Sequence, residues 1–282
     1  MDKNSVVIVT GANSGMGKAT SVGLAKTGAT VVMLCRNKAK GEKAVHEVRD
    51  LSVNSSVELM LCDLGSRKSI EDFCTEFKKK YQRLDVLVNN AGVILLDRQQ
   101  TFDGYELQFG VNHLGHFLLT NRLIDLMLTS APARIINVSS GAHKTGKIHF
   151  DDVNLKKNYN VWRAYAQSKL ANVLFTYELS ERLKGTEVTA NCLHPGAVAT
   201  AMGIDRNTGF GTFITSMLKP FFQTPEDGAQ TAIYLATSHE MDGVTGKYFY
   251  RKSPIPSSKR SYDKDLARKL WELSEKMMGL KD

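Results

Sequence analysis

The chain has 282 residues, 42% of them hydrophobic, with 37 basic and 29 acidic side chains and a net charge of +8. This length and composition exclude a disordered or fibrous chain and leave room for one or two globular domains. The basic excess is scattered, apart from Lys78 to Lys80 and the stretch from Arg251 to Arg260, and no groove-reading motif accompanies it, so nucleic-acid binding is not expected.

The first element is the most informative. An apolar β-branched run, Val6 to Val9, meets a turn carrying Gly11, Gly15 and Gly17, and a helical pattern follows at once. Glycines at such a turn let the backbone approach a ligand where a Cβ would clash. The helix start then offers free N–H groups and a partial positive charge to a phosphate. The spacing is Gly-x-x-x-Gly-x-Gly, which departs from the common Gly-x-Gly-x-x-Gly fingerprint.

Further along, strands are predicted near 5–10, 29–35, 57–62, 85–88, 133–138, 187–194 and 244–249. Helices are predicted near 16–27, 38–52, 66–80, 104–129, 160–184 and 225–238. This alternation implies an α/β fold, a Rossmann-type doubly wound parallel sheet of about seven strands. No linker or repeat divides the chain, so one domain is expected over 1–250. A tail over 251–282 follows, a basic Pro/Ser stretch and then an amphipathic helix with Leu266, Leu270, Leu273 and Met277. That helix is expected to pack on the domain or on a partner subunit.

The four cysteines form no Cys-x-x-Cys pair and there is no signal peptide, so buried free thiols in a reducing compartment are expected. No apolar run approaches the ~20 residues a membrane span needs. With the first strand starting near Ser5, a cytoplasmic chain without an N-terminal anchor is expected. His113 and His116 lie three apart in a helix with no third ligand at metal spacing, so no metal site is expected.

Tyr165 and Lys169 stand four apart in a helical stretch, hence on one face. With nine tyrosines among this many basic residues, about one such pair arises by chance. A second pair, Tyr248 and Lys252, does occur, but it spans a strand end and need not share a face. Context separates the two. Thr10-Gly-Ala-Asn-Ser-Gly-Met-Gly17, Asp63-Leu64, Asn89-Asn-Ala-Gly92, Asn112, Ser139-Ser140, Tyr165-x-x-x-Lys169 and Pro195-Gly196 follow one another in this order. Together they closely resemble the short-chain dehydrogenase/reductase family over nearly the whole chain.

The resemblance implies roles. Tyr165 would exchange a proton with the substrate oxygen, Lys169 would bind the nicotinamide ribose and favour the phenolate, Ser140 would hydrogen-bond the substrate oxygen, and Asn112 would help hold a relay water. In the serine doublet, Ser140 aligns with the catalytic residue. Gly11, Asn13, Ser14, Gly15, Met16 and Gly17 would cradle the cofactor. Asp63 and Leu64 would meet its adenine end, and Asn89, Ala91 and Gly92 would form the strand-end turn beside it. Pro195, Gly196, Val198 and Thr200 would lie toward the nicotinamide. A phenol ordinarily titrates near ~10, and lowering it ~3 units needs roughly 4 kcal/mol. One ammonium at ~4 Å supplies about that at an effective dielectric of ~20.

An NAD site usually places Asp or Glu on the ribose hydroxyl at the end of the second strand. Arg36 stands there instead, and a guanidinium matches a 2′-phosphate, so NADP(H) is favoured over NAD(H). Lys40 could assist or face solvent. The long connection between Ser140 and Tyr165, Cys35-Arg-Asn37 at the second strand and Leu270-Trp-Glu-Leu-Ser-Glu-Lys276 near the C-terminus resemble the retinol-dehydrogenase-like branch. That branch implies a lipophilic alcohol/carbonyl substrate, and the family implies a homodimer or homotetramer. The Phe- and Met-rich segment 201–223 is read as a lid, a satellite core, a subunit contact or a peripheral membrane contact. Two alternatives to a dehydrogenase stay open at this level: a cofactor-binding regulator without turnover, and an epimerase or dehydratase on the same fold.

Overall fold

The computed structural model describes residues 1–196 and 224–281. Among the described residues, eight strands form one sheet: β1 Val6–Thr10, β2 Thr30–Cys35, β3 Val57–Leu61, β4 Val86–Asn89, β5 Ala133–Val138, β6 Val188–Leu193, β7 Tyr248–Tyr250 and β8 Ser253–Pro254. Their order is β3-β2-β1-β4-β5-β6-β7-β8, parallel throughout except for the β7/β8 pair. The fold is the expected Rossmann-type sheet of about seven strands, and the eighth is a small addition. It is two residues long and exposed, and so carried no apolar run in the sequence.

Among the described residues the helices are α1 Gly15–Ala25, α2 Lys38–Ser52, α3 Arg67–Lys80, the single turn α4 Leu107–Phe109, α5 Gly115–Ser130, α6 Val161–Arg182 and α7 Pro225–Thr237 between the strands, and α8 Lys264–Met278 after the last of them. The expected helix over 104–129 is three pieces. Glu106 caps α4 through its carboxylate, and a π-helical segment, Gly110–Leu114, joins α4 to α5.

Both faces of the sheet are covered, which is why β1, β2 and β4 are apolar along their length. One core lies under α1, α2 and α7, with Val7, Val9, Met33, Leu24 and Leu235. The other lies under α3, α5 and α6, with Ile8, Phe73, Phe117 and Phe175. The tail helix α8 joins this second core. Its buried stripe is Ala267, Leu270, Trp271, Ser274 and Met278, turned one position from the expected one, with Leu266, Leu273 and Met277 at its margin. Trp271 packs edge-on against Phe117 at 4.9 Å, and the Arg182 guanidinium lies over its ring at 4.2 Å.

The strand order reverses direction between β1 and β4. A crevice outside the carboxyl ends of the strands is expected at such a point.

Candidate active site

The crevice is present there, a cleft of about 840 Å³. One end is made by backbone. Gly11 adopts φ +63°, and a Cβ on Gly17 would lie 2.3 Å from the Gly11 carbonyl oxygen and 2.5 Å from Asn90 Nδ2. Only glycine fits at Gly17. Ser14 precedes α1 but makes no side-chain cap, so the first-turn N–H groups stay available. The donor set and the tight turn fit a pyrophosphate.

The turn is stitched to the next strand by one hydroxyl. Thr10 Oγ1 accepts the N–H groups of Asn90 and Ala91 at 2.8 and 2.9 Å and meets His116 Nε2 at 2.8 Å. Asn90 Nδ2 returns a bond to the Thr10 carbonyl. Asn13, Ser14, Gly15, Met16, Asp63, Leu64, Ala91 and Gly92 all line the cleft with the glycines, as do Pro195 and Gly196 at its other end. Asn89 does not. It is buried between Thr120 and Asn137, to both of which its amide donates, and its neighbour Asn90 takes the place beside the cleft.

Arg36 lines the cleft at the end of β2, and among the described residues it makes no ion pair. Lys40 lines it too, and so does Lys43, which sequence reading missed. Three residues along α2 from Lys40 is the same face, so helical periodicity could have found it. Asp63 closes a local turn by accepting the Gly65 N–H.

The other end is made by side chains. Tyr165 and Lys169 lie on α6, whose first turn is capped by Asn160 accepting from Trp162 and Arg163. Tyr165 is 7% exposed and Lys169 2%. Lys169 Nζ donates to the Val138 carbonyl at 3.2 Å and sits 5.5 Å from the Tyr165 ring centroid. Burial pulls the lysine from its ordinary value down to about 8. Burial also pushes the Tyr165 phenol up, and the Ser140 hydroxyl beside it is the group that opposes the rise. This differs from the expectation that Lys169 lowers the phenol. The ammonium lies over the ring, 5.5 Å from its centroid, and desolvation is the larger effect on the phenol.

The serine doublet divides cleanly. Ser139 is buried and donates to the Lys169 carbonyl at 2.8 Å, which fixes α6 against β5. Ser140 faces Tyr165 across the cleft and begins a short 3-10 turn, Gly141–Thr145. Asn112 lies in the π-helical segment, fully buried. Its amide accepts from the Val93 N–H at 2.7 Å and donates to the Val93 carbonyl and Ser168. The side chain therefore holds the cleft wall at Val93 and does not line the cleft itself.

The second Tyr/Lys pair is not brought together. Tyr248 is buried in β7, while Lys252 lies beyond the strand end at φ +65° and is exposed. Val198, Thr200 and the segment 201–223 fall outside the described residues. Val93 and Leu95 were also missed by sequence reading and line the cleft. Single apolar residues in a loop carry no periodic signal.

A sequence model of the family described as short chain dehydrogenase matches residues 5–209. The chain belongs to the short-chain dehydrogenase/reductase family, whose members bind NAD(P)(H) and act as oxidoreductases. Human retinol dehydrogenase 14 is 46% identical across 97% of this chain and 86% of its own length. Human retinol dehydrogenase 13 is 47% identical across 97% and 84%. The chain thus sits in the retinol-dehydrogenase-like branch, as an oxidoreductase acting on alcohols. Among solved structures, an uncharacterized protein of Mycobacterium paratuberculosis superposes with a TM-score of 0.79 at 35% identity, covering 98% of this chain and 94% of that one. The Pseudomonas aeruginosa RhlG/NADP active-site complex does so with a TM-score of 0.70 at 25% identity, covering 87% and 94%. The turnover-free and epimerase readings gain no support from these relatives.

Proposed function

We propose that this protein interconverts a lipophilic alcohol and its aldehyde or ketone with NADP(H). One observation carries the reading: the cleft that begins at the glycine turn and Arg36 ends between Ser140 and Tyr165, with Lys169 beneath.

NADP(H) is favoured because Arg36, Lys40 and Lys43 surround the end of β2, where NAD sites place a carboxylate. Gly11 to Gly17 would hold the pyrophosphate, and Asp63 and Leu64 the adenine end. Pro195, Gly196, Val198 and Thr200 would hold the nicotinamide end. The nicotinamide, when bound, supplies or takes the hydride.

The protein handles the proton. In the direction of reduction, Ser140 holds the carbonyl oxygen and Tyr165 gives it a proton as the oxygen gains charge. A phenol kept neutral by burial suits this direction. In oxidation the phenol must first release its proton toward bulk water; the resulting phenolate, stabilised by the Lys169 ammonium one helical turn on, then takes the proton of the substrate alcohol and becomes the phenol again. Asn112 supports the wall of that path through Val93.

The lipophilic class is supported by the substrate side. Val93 and Leu95 line the cleft, Leu96 is 67% exposed nearby in sequence, and Trp162, 55% exposed, lies one turn before Tyr165 with ring centroids 6.3 Å apart. The names of the curated relatives point to the same class of alcohol. We further propose a homodimer or homotetramer, checked by light scattering.

The test is a panel of short, medium, aromatic and retinoid aldehydes and ketones, each assayed with NADPH and NADH. Faster turnover of the longer apolar carbonyls, with NADPH preferred, is expected. Equal use of the two cofactors would overturn the Arg36 argument, and turnover confined to short polar carbonyls would overturn the substrate class.

A further inference from the structure

Between Ser140 and Tyr165 the chain makes a short turn that carries a fully buried histidine, His143. Nothing in the reaction outlined above uses it. Its two ring nitrogens are both engaged. Nε2 accepts the backbone N–H of Ser258, in the tail, at 3.0 Å. A nitrogen that accepts carries no proton, so in the neutral ring the proton is on Nδ1. Nδ1 lies 2.7 Å from the Ser140 carbonyl oxygen and donates to it. Burial lowers the His143 pKa, which keeps the ring neutral and this arrangement intact.

The same turn is held at two further points. Arg260, also in the tail, donates to the Gly146 carbonyl at 2.5 Å. On its inner side Gly146 lies against the backbone of α6: a Cβ there would fall 2.4 Å from the carbonyl oxygen of Ala166, the residue after Tyr165. The ring of His143 also packs on Tyr248 of β7, 4.8 Å between centroids. The tail therefore grips the turn from outside while α6 bears on it from inside, and the histidine transmits the grip to Ser140.

We propose that His143 is a positioning residue for the reaction, fixing the Ser140 main chain so that its hydroxyl faces Tyr165, with the tail at Ser258 setting the ring's tautomer. This rests on the reading of Ser140 as the group that holds the substrate oxygen.

A double-mutant cycle tests it, on the full-length protein with one aldehyde and NADPH, alongside thermal melts. His143→Ala is expected to lower kcat by about thirtyfold, within the ~10² that a small misplacement can cost, while KM for NADPH stays within about twofold. His143→Asn keeps a donor where Nδ1–H was and is expected to recover most of kcat. In a Ser140→Ala background, His143→Ala is expected to add no further loss. Ser258→Pro removes the tail N–H together with the buried Ser258 hydroxyl and sets a ring carbon against His143 Nε2, at a residue whose φ of −68° already suits proline, and is expected to lower kcat severalfold. Long-range ¹H–¹⁵N spectra are expected to show the Nδ1–H tautomer.

A loss from His143→Ala that is as large without Ser140 as with it would show a merely structural histidine. If His143→Ala does not fold, unchanged kcat in Ser258→Pro overturns the proposal, as does the Nε2–H tautomer in the wild-type protein. If Ser140→Ala alone leaves kcat unchanged, the reading of Ser140 fails first and the role of His143 falls with it.

Discussion

Tyr165 and Lys169 sit four residues apart on a helix, and Tyr248 and Lys252 sit four apart across a strand end. In the first pair the spacing matches the helical period, so both side chains face one cleft and the ammonium lies over the phenol ring. In the second, the strand buries the tyrosine and a turn at positive φ throws the lysine into solvent. Identical spacing became a site in one place and an ordinary strand end in the other. What decides is the period of the element beneath the residues, and whether that element borders the point where the strand order reverses.

The comparison breaks most sharply at the phenols. Tyr165→Phe is expected to lower kcat by about 10²–10⁴-fold, the range for loss of a positioned acid or base. Tyr248→Phe, whose hydroxyl makes only a long contact of 3.3 Å to His143, is expected to stay within about twofold. Comparable losses in steady-state assays of the two variants would erase the distinction.

The lysines come next. Lys169→Met is expected to abolish most turnover and yet raise the melting temperature. In the folded protein Lys169 releases its proton at about 8, below its value in an unfolded chain, so its charge at neutral pH costs stability, up to about 3 kcal/mol. The sign follows: the cost is full below about pH 8 and fades as pH rises toward the ordinary lysine range, so the advantage of Lys169→Met is largest at neutral pH and shrinks above it. Melting curves at pH 7 and pH 10 for both proteins check this.

Arg36→Ala is a smaller change. Under the proposed NADP(H) reading, in which Arg36 would hold the 2′-phosphate, its loss is expected to cut the ratio of kcat/KM for NADPH over NADH by about tenfold to a hundredfold. The smallest effect is expected at Lys252→Ala, with kcat unchanged and stability within about 0.5 kcal/mol of wild type.

Much of this was legible in the sequence, and the exceptions share a cause. Seven strands and the helices that cover them follow from apolar runs and 3.6-residue periods, and the glycine turn follows from its unusual spacing. β8 escaped because two exposed residues, Ser253 and Pro254, carry no pattern. The break in the long helix before α5 escaped because Gly110 to Leu114 are all buried, so their hydrophobicity reads as continuous helix whichever way the backbone hydrogen-bonds. Asn89 and Asn112 show the same limit at the site. Their motifs place them in the right neighbourhood, but an amide aimed into the core and one aimed into a cleft look alike in sequence. Resemblance favours Ser140 over Ser139, and the place of the Ser139 hydroxyl on the Lys169 carbonyl has no signature in the sequence.

The bare start of α1 has a further consequence. Ser14 leaves the first-turn amides without a side-chain acceptor, and no acidic residue lies in that turn. The helix is an unfinished piece of secondary structure that an anionic visitor completes. A ligand held at about one hundred times its Kd adds about 3 kcal/mol to the folded state. Resistance to proteolysis should accordingly rise with the supply of nicotinamide dinucleotide, and the amount of this protein in a cell should follow the size of that pool as well as the rate at which the chain is made.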